Sequence, residues 1–290
     1  MYSLLYRIVR LYSNIYWYFH ITFHLNLPGL GLLLRLIKDD HICNVDGISF
    51  IFKKKLYFAY SRIIAGCFNE PETHIFLNKI ISNIGFDVTF IDIGSNIGEF
   101  ILDVCRYKNV RNVIGFEPDY KVAKVSQENI SKNKFENVSV IEKVVNSDGV
   151  PARFIVHPSR LSSNIMDTDN PKSVLLEATT LDLEFPIPIG PSIILIDVEG
   201  AEPLVLRGGR KLISRDNPLI IFEYNQISKK YFKLNEIYSI LGVDYEIYRL
   251  RQDSFLDTDF RKTWNCVAIN IHSEFYPLIK KMIKRKNTDG

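Results

Sequence analysis

Apolar positions along this chain follow two periods, and each place where a continuous apolar run gives way to 3.6-residue spacing predicts a strand handing over to a helix. The clearest handover lies at residues 88–104. Residues 88–93 are mostly β-branched or aromatic, as suits a buried parallel strand, while Ile97, Phe100, Ile101 and Val104 share one helical face. Between them lies Gly94-Ser95-Asn96-Ile97-Gly98. Glycines at 94 and 98 let backbone approach a ligand where a Cβ would collide, and the N–H groups opening the next helix form a polar rim that tolerates anions. Such turns also occur for purely structural reasons, so context decides the reading.

The context is a second apolar strand, 112–116, that ends on Glu117-Pro118 about twenty residues after the turn. A carboxylate there can accept hydrogen bonds from ribose hydroxyls in dinucleotide folds, and Pro118 suits a helix start. A polar-faced helix over 120–132 and a third strand over 138–145, closed by Asn146-Ser147-Asp148-Gly149, complete a βαβαβ order, half of a doubly wound sheet. Upstream, 44–54 alternates around Asp46-Gly47 as an edge strand or hairpin, 65–71 reads as a loop and 72–84 as a helix. Downstream, 153–157 and 174–179 read as hairpin strands joined by a polar segment with Ser162, Ser163 and Asn164, long enough for a lid or substrate loop. His157 could serve there as a base, although a lone histidine at a strand end is more often a packing residue.

Residues 193–196 form a fully apolar strand that delivers Asp197 and Glu199, and a helix is predicted from Pro203 through Ile213. Another apolar strand, 218–222, ends on Glu223. Ligands bind at this end of open α/β sheets. Three acids in one crevice would raise at least one pKa, which suits a general base, or would be neutralised by a hard divalent cation held by Asp197, Glu199 and Glu223. Glu202 reads as a helix cap. Residues 231–241 predict a helix, and 245–250 with 264–271 a terminal strand pair whose last member is antiparallel. Residues 274–286 predict a solvated helix or a basic surface helix.

Composition narrows the reading. A chain of 290 residues with 47% hydrophobic content holds one large α/β domain with extensions. Its net charge of +3, with both signs interleaved, gives no reason to expect nucleic acid as a partner. Cys43, Cys67, Cys105 and Cys266 form no CxxC pair and read as reduced thiols of a cytoplasmic protein. From Leu11 to Leu34 there is no charged residue, and aromatics are dense. Asn14, His20, His24, Asn26, Pro28 and two glycines interrupt the segment, which leaves three readings: packing on the domain or a partner, peripheral association at the inner face of a membrane, or a span.

The chain resembles the FkbM family of methyltransferases, a branch of the class I S-adenosylmethionine-dependent enzymes, through three ordered blocks: Ile91-Asp92-Ile93-Gly94-Ser95-Asn96-Ile97-Gly98; Gly115-Phe116-Glu117-Pro118 with Asn129-Ile130; and Ile196-Asp197-Val198-Glu199-Gly200-Ala201-Glu202 with Val205-Leu206-Arg207-Gly208. Weaker echoes are Thr180-Leu181-Asp182, Glu223 and Asn265-Cys266-Val267. The resemblance implies an α/β, doubly wound Rossmann-like sheet, mostly parallel with the last strand antiparallel. It divides the chain into an N-terminal extension (1–43), a methyltransferase domain (44–272, lead-in 44–87 and core 88–272) and a basic tail (273–290). It implies S-adenosyl-L-methionine as cofactor, with Asp92, Gly94, Ser95, Asn96 and Gly98 around its methionine part, Glu117 and Pro118 at the ribose, and Asn146 and Asp148 near the adenine. Asp197, Glu199 and Glu223 would face the acceptor, a small molecule or a glycan hydroxyl. The chain departs from the family pattern at Leu195, where a lysine is common, and at Tyr120, where a proline is frequent. Two rival readings are a nicotinamide-dependent oxidoreductase, which lacks its third glycine at Glu99, and a non-catalytic binding or scaffold protein with the same fold.

Overall fold

Asp46 and Gly47 both adopt positive φ, the geometry of a tight two-residue hairpin turn, and join β1 (Ile42–Val45) to β2 (Ile48–Ile51) as an antiparallel pair. The computed structural model describes residues 2–23, 25–57, 59–155 and 173–284. The proposed lid, with His157, Ser162, Ser163 and Asn164, lies outside them. Two helices precede the hairpin, α1 (Tyr2–Phe23) and α2 (Leu30–Leu34), and two follow it, α3 (Ser61–Ala65) and α4 (Pro71–Asn83). Val9, Leu34, Cys43, Phe50 and Ile63 join one buried cluster, so this lead-in is packed onto the domain. Among the described residues no helix is long and apolar enough to cross a membrane.

The core alternates as predicted: β3 (Val88–Ile93), α5 (Glu99–Val104), β4 (Val110–Phe116), α6 (Tyr120–Asn133) and β5 (Val138–Ile141). The predicted third strand is in fact two. It breaks after Ile141, and β6 (Val144–Val145) leaves the main sheet. β7 (Ala152–Ile155) and β8 (Ser173–Leu176) form the predicted hairpin, whereas β9 (Ala178–Thr179) pairs in parallel with β6. After α7 (Leu181–Glu184) come β10 (Ser192–Ile196), α8 (Glu202–Gly208) and α9 (Arg210–Asp216). The single helix expected over 203–213 is divided at Gly209. The chain ends with β11 (Leu219–Glu223), α10 (Leu234–Leu241), β12 (Tyr245–Leu250), β13 (Leu256–Asp257), β14 (Asn265–Asn270) and α11 (Tyr276–Lys281).

Eight strands form one sheet in the order β13-β12-β14-β11-β10-β3-β4-β5. The five from β11 to β5 are parallel, and β14 runs antiparallel between β11 and β12. Burial on both faces accounts for the unbroken apolar runs. Phe90, Ile193, Leu195 and Ile221 point into one layer, and Ile91, Ile194, Ile196 and Phe222 into the other. The chain reverses direction of strand order at β3, between β10 and β4, and that switch point sets the place for a ligand.

Candidate functional site

A cavity opens at the C-terminal ends of β3, β4 and β10. Gly94 and Asn96 line it from the first strand, Glu117, Pro118 and Asp119 from the second, and Asp197, Glu199 and Ala201 from the third. Asn96 and Glu199 hold φ of 48° and 55°, left-handed values that asparagine tolerates and glutamate adopts at a cost of about 1 kcal/mol or more. The Asn96 amide donates to Glu117 Oε2 at 3.1 Å, and the Asp119 amide donates to Glu117 Oε1 at 2.9 Å. The glycine turn and the second-strand acid, separate signals in the sequence, are therefore hydrogen-bonded to each other.

Several predicted site residues stand behind this wall. Gly98 starts α5 with φ of 82°, and a Cβ there would meet Ser126 Oγ, so it serves the packing of α5 on α6. Ser95 Oγ is buried and, among the described residues, finds no hydrogen-bond partner. Asp92 is 1% exposed, and its Oδ2 likewise has none among the described residues. Burial, then the charge of Glu117, push its pKa up to about 8. Its register partner on β10 is Leu195, so the position where the family commonly carries lysine places an apolar side chain beside this carboxyl. Asn146 and Asp148, expected near the adenine, lie in the turn after β6. Asn146 Oδ1 accepts from the amides of Asp148 and Gly149, its Nδ2 donates to the Val150 carbonyl, and Asp148 Oδ1 accepts from the Val150 amide, a turn built for itself and not among the residues lining the cavity. Lys143, Val144, Val145 and Phe154 line the cavity instead, because the broken third strand turns inward.

The acids divide as well. Asp197 and Glu199 line the cavity, whereas Glu223 is buried and bonded to Asn225 Nδ2 and to Ser228 Oγ, the latter at 3.2 Å. Burial, then the charges of Glu223 and Glu70, raise the Asp197 pKa well above the carboxylate range. Burial and Glu70 push Glu199 to about 7, and burial with Glu199 and Glu202 pushes Glu223 to about 9. Glu202 opens α8 and ties down the loop before it: Oε1 accepts from the amides of Val198 and Gly200, each at 3.2 Å, while the N-cap, Ala201, makes no side-chain cap bond. Glu70 was not legible as a site residue. It begins α4 at φ of 46°, and Trp264 Nε1 and Asn265 Nδ2 donate to it at 3.1 and 2.6 Å. Its only signals were its place before Pro71 and the Asn265-Cys266-Val267 echo. Among the described residues no group of three or more histidines, cysteines or acids is arranged to hold a metal ion.

His74 anchors the layer behind the turn. Its ring is stacked between Phe68 and Phe100, each centroid 4.2 Å away, with Nδ1 2.6 Å from Asp103 Oδ2 and Nε2 3.3 Å from Glu99 Oε1. Burial alone would lower its pKa, but Asp103 and Glu99 hold it up at about 9. A folded pKa above the unfolded value of about 6.5 contributes stability that is complete below pH 6.5 and lost as pH rises through 9, on the order of 3 kcal/mol. Thermal melts are expected to fall between pH 6 and 9.5, roughly, and to fall less in a His74→Gln variant. An equal fall in both would remove histidine from the effect.

The model of the FkbM methyltransferase domain matches residues 92–252, more than half of the chain. No curated protein matches it. Among solved structures, an FkbM methyltransferase from Methylobacillus flagellatus KT aligns at 20% identity and TM-score 0.46 over 73% of this chain and 53% of that one. The chain thus spans about half the length of that relative. A precorrin-6y C5,15-methyltransferase from Geobacter metallireducens GS-15 aligns at 12% identity and TM-score 0.42 over 81% and 97% of the two chains. A ribosomal protein L11 methylase from Lactobacillus delbrueckii subsp. bulgaricus aligns at 13% identity and TM-score 0.40 over 70% and 79%. With its three motif blocks brought to one end of a doubly wound sheet and the domain model matched across them, the chain belongs to the FkbM methyltransferase family.

Proposed function

We propose that this chain is an S-adenosylmethionine-dependent methyltransferase acting on a hydroxyl, such as that of a sugar in a polysaccharide, glycolipid or natural product. The observation that carries the reading is the sign of the cavity's charge. Among the described residues Glu117, Asp119, Asp197 and Glu199 line it with one lysine, Lys143, whose Nζ is 3.2 Å from Glu184. An acidic cavity favours a ligand with sulfonium and ammonium charges and disfavours the pyrophosphate of a nicotinamide dinucleotide. Gly94 and Asn96 would hold the methionine part, Glu117 the ribose, and Val144, Val145 and Phe154 would cover the adenine.

When bound, the cofactor supplies an already electrophilic methyl group. The chain's own residues then have three tasks: the glycine turn and Glu117 fix the ligand, the apolar wall excludes water, and Asp197 accepts the acceptor hydroxyl's proton with Glu199 beside it. The cofactor's positive charge would lower the pKa of both acids, which makes the base available once the site is loaded. A binding protein that retains the cofactor without transfer is the second reading, favoured by Leu195, which leaves Asp92 without a cation beside it on β10.

Calorimetry with S-adenosylmethionine and NAD tests the first point, and release of S-adenosylhomocysteine on a panel of glycans the second. Binding of the sulfonium cofactor alone is expected, with turnover on at least one hydroxyl acceptor. Preference for NAD overturns the cofactor, and binding without turnover on any acceptor favours the second reading.

A further inference from the structure

Helix α1 is apolar on two faces, one packed on the domain and one exposed. Leu4, Ile8, Leu11, Ile15 and Tyr18 recur at spacings of four and three along one stripe, and all five are exposed, Leu4 and Leu11 at 63% and Tyr18 at 60%. The opposite stripe faces the protein: Val9 is fully buried, and Leu5, Tyr6, Tyr12 and Tyr16 pack against the core beside it. Ser13 is fully buried and its Oγ donates to the Val9 carbonyl at 2.8 Å, Trp17 Nε1 donates to the Ser61 carbonyl at 3.2 Å, and Arg62 lies 4.9 Å over the Trp17 ring. An amphipathic helix whose partner were this domain alone would carry polar residues on its outer stripe. Leu25, Leu32 and Leu36, just beyond the helix, are exposed too.

The charges of residues 1–38 are all of one sign, with Asp39 and Asp40 directly after them. Residues 1–38 contain Arg7, Arg10, Arg35 and Lys38 and not one aspartate or glutamate. A second copy of the helix could match the four-three spacing as a coiled-coil seam, but Arg7 would find no acidic partner within the same stretch. A negatively charged lipid surface offers both an apolar layer for the stripe and counter-charge for the arginines. The helix cannot cross such a layer, which leaves it lying in its plane.

We infer that α1 docks the protein on an anionic bilayer, with Leu4, Ile8, Leu11, Ile15 and Tyr18 inserted among the lipid headgroups and Arg7 beside them. The face is distinct from the cavity and does not depend on the proposed activity. Docking there would bring the enzyme to acceptors carried by the membrane.

Flotation of the full chain with phosphatidylcholine vesicles, with and without phosphatidylglycerol, tests it. Binding to the anionic vesicles is expected, weakened by salt and at least about tenfold tighter than to neutral ones. The double variant Leu4→Glu with Leu11→Glu is expected to lose that binding about tenfold or more while keeping its melting temperature, because both side chains are exposed. Arg7→Glu is expected to weaken anionic binding and leave the melting temperature unchanged. Failure of the parent chain to float, equal binding to neutral vesicles, or undiminished binding by the double variant overturns the inference. So does a lipid-free dimer in sedimentation that the same two substitutions dissociate, since the stripe would then be a seam between copies.

Discussion

Gly94→Val is expected to lower stability by about 2–5 kcal/mol as well as to abolish cofactor binding. Gly94 holds φ of 91°, where a β-branched side chain is strained, and a Cβ there would run into the backbone carbonyl of Asp197. That carbonyl cannot step aside cheaply. The Asp197 amide donates to the Ile93 carbonyl at 2.9 Å, the last bond holding the end of β10 against the end of β3. A side chain at 94 therefore pries apart the two strand ends that carry the two halves of the cavity. For a domain with marginal stability this is a large fraction of the total. Denaturant titration should show a lower midpoint, and calorimetry should show no heat with S-adenosylmethionine. Asn96→Gly separates the two effects, because glycine relieves the left-handed backbone and leaves the strands paired; it should remain folded. A Gly94→Val protein with an unchanged midpoint would mean that the glycine serves only the ligand.

The glycine turn could be found in the sequence because its requirement is local: a strand, two glycines and an apolar helical face must be adjacent in the chain. The same holds for Glu117 and for the Asp197–Glu199 block, each at the end of an apolar run. What adjacency does not carry is the direction of a side chain after the strand ends. Asn146 and Asp148 follow the third strand closely, yet their side chains are spent on their own turn, while Lys143 and Val144 enter the cavity because the strand breaks one step earlier. Glu223 has the same strand-end position as Asp197 but is tied down by Asn225 and Ser228. Glu70 lies far from the other acids in sequence and is held near them by Trp264 and Asn265, at the start of the antiparallel strand beside β11. Long-range pairings of this kind leave no periodic trace. Which apolar face of α1 meets the domain was likewise hidden, since an aromatic helix reads the same whichever face is packed.

Asp197→Asn is expected to cut methyl transfer by about 10²–10⁴-fold, the usual contribution of a positioned general base, while cofactor affinity changes far less. The asparagine keeps the shape of the strand end but cannot accept the hydroxyl proton. Its neighbours set the pH at which the native acid works. Burial, then Glu223, Glu70 and Glu199 raise the Asp197 pKa, so the base ionises only as pH climbs, and activity should rise with pH through that titration. Removing one neighbouring charge reverses part of the shift. Glu70→Gln should therefore move the rising limb of kcat/KM to lower pH without abolishing transfer, because Glu70 acts on Asp197 only through its charge. Rates of S-adenosylhomocysteine release across pH, measured for the parent chain and both variants on the same acceptor, decide the matter. An Asp197→Asn enzyme that keeps more than about a tenth of the parent rate would place the base elsewhere, and a Glu70→Gln profile unmoved on the pH axis would separate that acid from the site.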